Sequence, residues 1–137
     1  MAKIETFEEL VSWRKGRELT RAVYRLSRTG EFARDYALRD QIRSACISIT
    51  SNIAEGFERG GDKEFLQFLS QAKGSCGEVR SQLNVALDEL YISEAQFREM
   101  KDLALETSRA IAGMMGYLKR SPLRGSKYND RDSRTSR

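Results

Sequence analysis

Between Phe65 and Leu90 the apolar positions are Phe65, Leu69, Ala72, Cys76, Val79, Leu83, Ala86 and Leu90, alternating in steps of four and three without a miss. A strand would alternate every two residues, so this spacing dictates one α-helix with a single continuous stripe. A stripe of that kind has to be covered by other helices. The chain supplies three more. Ser12, Gly16, Leu19, Val23 and Leu26 form the first seam, and Leu38, Ile42, Ala45, Ile49, Ile53 and Gly56/Phe57 the second. Phe97, Met100, Ala104, Thr107, Ile111, Met114 and Leu118 form the last. The one proline is Pro122, so no helix before it is interrupted.

Local signals place the helix ends. Thr6-Phe7-Glu8-Glu9 is a capping box that opens the first helix, expected to run to about Arg28 and stop at Thr29-Gly30. Glu31 to Arg34 is a short connection, and Asp35 caps a second helix ending at about Arg59, before Gly60-Gly61. Asp62 caps the third helix. After a short link at Tyr91-Ile92, Ser93-Glu94-Ala95-Gln96 is a second capping box opening the fourth. Short connections make sequential helices antiparallel, so the fold class is all-α: an antiparallel up-down four-helix bundle over residues 1–120. Cys46, Asn52, Leu69, Cys76, Val79, Ile111 and Met114 are expected inside it. Residues 121–137 are polar, without period and basic, and read as a flexible tail.

Composition narrows the chemistry. The chain has no histidine, which excludes Ser-His-Asp and Cys-His triads, imidazole metal ligands and the Glu-x-x-His pairs of di-iron bundles. No cofactor and no metal is expected, and the reading is non-enzymatic. Cys46 and Cys76 lie at helical spacing among apolar residues, as small core hydrophobes do in a reducing compartment. The first residues lack an apolar signal core, and the longest apolar run, Ala110 to Leu118, is too short for a bilayer. A cytoplasmic protein with no membrane partner follows as the expectation. Of the net charge of +4, the last 17 residues hold +3, with five basic against two acidic side chains. Any basic surface on the body must therefore come from segregation of charge.

Segregation is visible in the first helix. Arg14, Arg17, Arg21, Arg25 and Arg28 step by three, four, four and three, covering an arc of roughly 80° opposite Leu19 and Val23. Arginine makes bidentate contacts with phosphates and stacks on bases, so this stripe is the candidate nucleic-acid-binding surface. The bland alternative is a charged outer face held by its own salt bridges, with Glu18 as an internal partner. Trp13, Thr20 and Tyr24 flank the stripe, where aromatics suit base stacking or a subunit interface. Trp13, Tyr24, Phe57 and Phe68, with Ile47 and Val85, lie off the main seams and are the candidate oligomer contacts.

Two polar strips ask for another explanation. Gln41, Ser44, Ser48, Ser51, Asn52 and Glu55 share one face of the second helix, and Gln71, Ser75, Glu78 and Gln82 one face of the third. They read either as solvated surface or as a polar layer in which Glu55 and Glu78 meet arginines such as Arg43 or Arg59. Gly74-Ser75-Cys76-Gly77 matches a GxxG nucleic-acid loop in letters only, since it sits inside an unbroken helical seam. Close helix approach at small residues is the expected meaning.

The ordered set Phe7, Leu10, Val11, Trp13; Tyr36, Leu38, Gln41, Arg43, Ala45, Ser48, Ile49, Asn52, Ile53, Ala54, Glu55, Gly56, Arg59; Phe65, Phe68, Leu69, Ala72, Gly74, Ser75 and Glu78 resembles one family. It is similar to the 23S rRNA intervening-sequence proteins, small bacterial four-helix bundles, over roughly residues 7–120. The resemblance implies a bundle that assembles as a homopentamer, and some relatives are encoded within insertions in the large ribosomal RNA gene. It also implies likeness to the accessory variability protein of diversity-generating retroelements, a basic partner of a reverse transcriptase and nucleic acid. Gly16 departs from the alanine-like residue usual at its position. Two functions are left open: an oligomer that binds RNA or DNA, and a protein-interaction scaffold or adaptor, such as a reverse-transcriptase accessory, without nucleic-acid contact.

Overall fold

The computed structural model describes residues 3–120; the expected tail lies outside the described residues. Four long helices form the bundle: α1 (Val11–Leu26), α3 (Tyr36–Arg59), α4 (Asp62–Asp88) and α5 (Glu94–Arg120). A short α2 (Gly30–Arg34) lies between α1 and α3. Contacts run α1 to α3, α3 to α4, α4 to α5 and α5 back to α1, closing a square around one core. All described elements are helical, which is the expected fold class.

The core is made by the stripes. Leu19, Val23, Ile42, Ile49, Ile53, Phe65, Leu69, Val79, Leu83 and Ile111 are almost wholly buried. Cys46 and Cys76 are buried free thiols. Burial pushes the Cys46 thiol up to about 12 and the Cys76 thiol up to about 11, so neither is a nucleophile near neutral pH. Thr107 falls on the α5 seam and is also buried; its hydroxyl is satisfied by donating to the Leu103 carbonyl at 2.8 Å. Met114 is only half-buried, short of its expected place, although Leu118 one turn further along α5 is buried.

Two glycines set how closely helices meet. A Cβ on Gly56 would lie 2.7 Å from Phe68 Cβ and 2.9 Å from Phe65 Cδ1, so α3 and α4 touch there backbone to ring. A Cβ on Gly16 would lie 3.1 Å from both Ile49 Cγ2 and Thr50 Cγ2, where α1 crosses α3. The glycine in α1 thus lets the two helices pack closely, a Cβ there asking those methyl groups to give by a few tenths of an ångström. Gly74 and Gly77 are different. Nothing lies within 4 Å of a Cβ on either, so they mark no helix approach within the chain.

Ends and links depart from expectation in several places. Glu9 does accept from the Thr6 N–H at 3.1 Å, but the box closes a 3-10 turn, Phe7–Glu9, rather than α1. Leu10 is extended (φ −73°, ψ 130°) and only 4 % exposed. Continued as helix, Leu10 would stand nine residues before Leu19, on the opposite and solvent-facing side. The break turns it into the core. At the other end α1 stops at Leu26, since Ser27 is buried and receives Arg43 Nε at 2.9 Å. The link after it is the five-residue α2, whose Phe32 is buried and stacks on Tyr91 at 5.7 Å. Asp35 caps α3 as expected, accepting from the Leu38 N–H at 3.1 Å, and its other oxygen accepts from the Tyr91 hydroxyl at 2.9 Å. Gly60 ends α3 in the left-handed conformation (φ 85°), and the N-cap of α4 is Gly61, with Asp62 already in the first turn. Leu90 leaves the α4 seam. It takes φ 62° and is 86 % exposed, while Tyr91 N–H closes the helix end on the Ala86 carbonyl at 2.9 Å. Ile92, 5 % exposed, fills the core in its stead. Ser93 caps α5 through the Gln96 N–H at 3.1 Å, the reciprocal box being complete.

Gly56→Ala should destabilise the protein by about 1–3 kcal/mol in urea titration through overpacking, despite alanine's better helix propensity. Gly113→Ala, where a Cβ meets open space, should instead stabilise by about 0.5–1 kcal/mol. Asp35 gives a pH signature. Its hydrogen bonds to the Leu38 N–H and the Tyr91 hydroxyl hold its carboxyl below the usual 3.8. The stabilisation is therefore complete above that value and is lost as pH falls through the lower folded value. Thermal melts of Asp35→Ala should fall below wild type at neutral pH, with the gap closing in acid.

Candidate nucleic-acid interface

The α1 seam settles which way the arginines point. With Leu19 and Val23 buried, Arg14, Arg17, Arg21 and Arg25 stand on the outer face, and Arg28 continues their line in the turn after the helix. All five are exposed. Among the described residues none of them has a carboxylate within ion-pair distance. Glu18 turns instead to Lys15 at 3.9 Å, and Lys15 pairs with Glu106 of α5 at 3.0 Å. Arg14 Nε donates to the Glu8 carbonyl at 2.8 Å, which ties the 3-10 turn to α1. Arg17 lies over the Trp13 ring at 5.8 Å. The side chains of Arg21, Arg25 and Arg28 make no hydrogen bond or ion pair among the described residues. The five arginines therefore form no ion pair of their own among the described residues, although Glu8 and Glu18 share the face with Arg14, Arg17 and Arg21.

A shallow hollow opens at the N-terminal half of this face, lined by Glu8, Trp13, Arg14, Arg17, Glu18 and Arg21. Trp13 is half-buried, with Phe7 packed against it edge-on at 5.2 Å. Tyr24 is also half-buried, but the Arg43 guanidinium covers its ring at 4.5 Å.

The motif residues of α3 and α4 hold the frame and do not join the stripe. Arg43 reaches α1, bonding Ser27 and the Tyr24 carbonyl at 3.4 Å, and so does not meet Glu55 or Glu78. Arg39 does the same for α2, donating to the Ala33 carbonyl at 3.0 Å. Arg59 pairs with Glu55 at 2.8 Å and Glu64 at 3.3 Å and covers the Phe68 ring at 5.3 Å, locking the α3–α4 turn. The hydrogen bond it donates to Glu55 raises the guanidinium's affinity for its proton. The polar layer exists in a small form. Ser48 and Ser75 hydroxyls meet at 2.9 Å across α3 and α4, and Asn52 Nδ2 donates to Ser48 Oγ at 3.0 Å and its carbonyl at 2.8 Å. Asn52 is half-buried rather than buried, and finds its partners within its own helix. Gln41 and Glu78 are exposed, and Glu78 makes no ion pair among the described residues.

Of the expected oligomer contacts, Phe57 is 3 % exposed, with its ring 6.0 Å from Phe65, and so is a core residue. Phe68 is half-buried at the Gly56 contact. Ile47 and Val85 remain 47 % and 43 % exposed. Sequence reasoning missed Phe32 and Ser27, and placed Leu10, which it named among the family-like residues, inside the first helix. Phe32 carried a signal, as a lone aromatic between two helix breaks.

The sequence model of the 23S rRNA-intervening sequence protein family matches residues 8–113, the span that holds the whole frame. The chain belongs to this family. A crystal structure at 1.70 Å resolution shows a similar fold: a protein of unknown function from the S23 ribosomal protein family of Bacteroides thetaiotaomicron VPI-5482. It aligns with a TM-score of 0.70 at 18 % identity, over 77 % of this chain and 98 % of its own. At that identity the likeness shows the fold of the 23S rRNA-intervening sequence family member and nothing more. No curated protein matches the chain. Among the described residues no group of His, Cys, Asp and Glu is arranged to hold a metal, and no helix is long and apolar enough to cross a membrane.

Proposed function

We propose that this protein is a non-catalytic binding protein for RNA or DNA, working in a reducing, cytoplasmic setting through the outer face of α1. The observation that carries the reading is the set Arg14, Arg17, Arg21, Arg25 and Arg28, exposed and without a carboxylate partner among the described residues. Four arginines on one helix, with Arg28 in the turn after it, concentrate positive charge that a polyanion would neutralise. Phosphate contacts of this kind supply affinity without sequence specificity. The family name, taken from an RNA gene, agrees with the reading but does not carry it.

The same proposal includes a homo-oligomer, with five copies the number implied by the family resemblance. Gly74, Gly77, Ser81 and Val85 share an outer sector of α4. Two glycines inside a helix cost about 1 kcal/mol each in propensity. Open space beside them, together with the exposed Val85, suits a second copy packing closely on this sector. A ring would repeat the α1 stripe and multiply a weak single-site contact.

If five phosphates are neutralised per chain, log affinity falls against log salt with a slope of roughly −3.5 for single strands to −4.5 for duplex. Replacing Arg14, Arg21 and Arg25 with glutamine should weaken binding across sequences and flatten that slope. The light-scattering mass should stay at the same multiple of 15.7 kDa. If wild-type protein binds neither RNA nor DNA at about 50 mM salt, the range where phosphate contacts hold best, the adaptor reading replaces this one.

A further inference from the structure

The two aromatics flanking the arginine stripe differ in a way that selects the ligand. Arg43 sits 4.5 Å from the Tyr24 ring centroid and is itself held by Ser27 and the Tyr24 carbonyl, so that ring is already covered by a fixed guanidinium. Trp13 has no such cover. Phe7 supports it edge-on, and Arg17 stands back above the ring at 5.8 Å on an exposed side chain that makes no ion pair among the described residues. The indole therefore lines an open hollow, with Phe7 packed edge-on against it and the Arg17 guanidinium above its ring at a distance.

The surroundings of that hollow are graded. Arg14 is engaged with the Glu8 carbonyl and Glu18 with Lys15, so both hold defined positions at the rim. Glu8 and Glu18 are carboxylates beside the indole, a poor place for a phosphate but a fitting one for a base edge that donates, whether the N3–H of uracil or an exocyclic amino group. Further along the helix, Arg21, Arg25 and Arg28 are unpaired and suit phosphates. From Trp13 to Arg25 the helix advances about 18 Å, room for a few nucleotides.

Resting on the nucleic-acid reading above, we infer that the ligand is single-stranded: one base stacks on Trp13 in the hollow while the backbone that follows runs along Arg21, Arg25 and Arg28. A duplex keeps its bases stacked inside and offers the indole no exposed face, so it meets only the phosphate track. Single-strand binding proteins combine the same two parts, a basic track and an aromatic platform.

Trp13 is the one tryptophan in the chain, so its fluorescence reports the hollow directly. Full-length protein is titrated with a short oligouridylate, with a duplex of equal phosphate count, and with uridine monophosphate. The expected result is quenching by the single strand, little quenching by the duplex, and none by the mononucleotide at the same concentration. Anisotropy of labelled oligouridylate should show Trp13→Ala weakening strand binding roughly five- to hundredfold, the range of one lost base stack. Trp13→Phe, which keeps a ring on Phe7, should retain most of the affinity, and circular dichroism checks that both variants are folded. Equal affinity for strand and duplex, with no quenching by either, would overturn this inference while leaving the arginine reading in place. Full quenching by the mononucleotide would overturn it in favour of a nucleotide pocket. Failure to bind strand or duplex at all would remove the arginine reading itself.

Discussion

The contact of α3 with α4 at Gly56 is the constraint on which the rest of the bundle depends. There is no room for a Cβ between that backbone and the rings of Phe65 and Phe68. The approach is possible because α3 ends four residues later at Gly60, whose left-handed backbone returns the chain at once. Arg59 then bridges the turn to Glu55 and Glu64. Exposed ion pairs of this kind add little stability, so their value lies in fixing the geometry of the turn. With α3 and α4 locked in register, their stripes present one continuous apolar surface, and α1 and α5 have a single way to cover it.

α1 meets that surface through Gly16, against Ile49 and Thr50, and through Leu19 and Val23. This fixes its rotation, and the rotation decides the electrostatics. The chain uses arginine in two ways. Arg39, Arg43 and Arg59 work inside the frame, satisfying carbonyls at the ends of α2 and α1 or tying a turn. The α1 arginines are left on the outside with no acidic partner among the described residues. A charge that the fold does not neutralise is the strongest pointer to a ligand on this molecule.

Much of this was legible in the sequence, because the signals were periodic. The seam from Phe65 to Ala86 is buried throughout, and the caps at Asp35, Ser93 and Gly60 act where their residue types demand. What escaped was decided by competition between local and tertiary terms. Leu10 breaks the first helix since its burial outweighs about one more helical turn. Leu90 continues the heptad arithmetic but yields its place to Ile92, as the helix must end to let the chain reverse. Phe57 looked like a surface aromatic because α3 is buried over a wider arc than one stripe. The meanings of Gly56, Gly74 and Gly77 could not be told apart by letter: one is filled by a neighbouring helix and two face open space. In the candidate site the arginine stripe followed from spacing alone. That Tyr24 is closely covered, and Trp13 only at a distance by Arg17, depends on Arg43, 19 residues from Tyr24 in the chain, and spacing does not carry such information.

The central claim is that the two sets of arginines do different work. Arginine Nε–Hε resonances resolve them individually in an isotope-labelled sample titrated with oligouridylate. The account predicts large shifts at Arg14, Arg17, Arg21, Arg25 and Arg28, with Arg39, Arg43 and Arg59 unmoved. Shifts concentrated on Arg39, Arg43 or Arg59, or none on the α1 set under conditions where binding occurs, would contradict it.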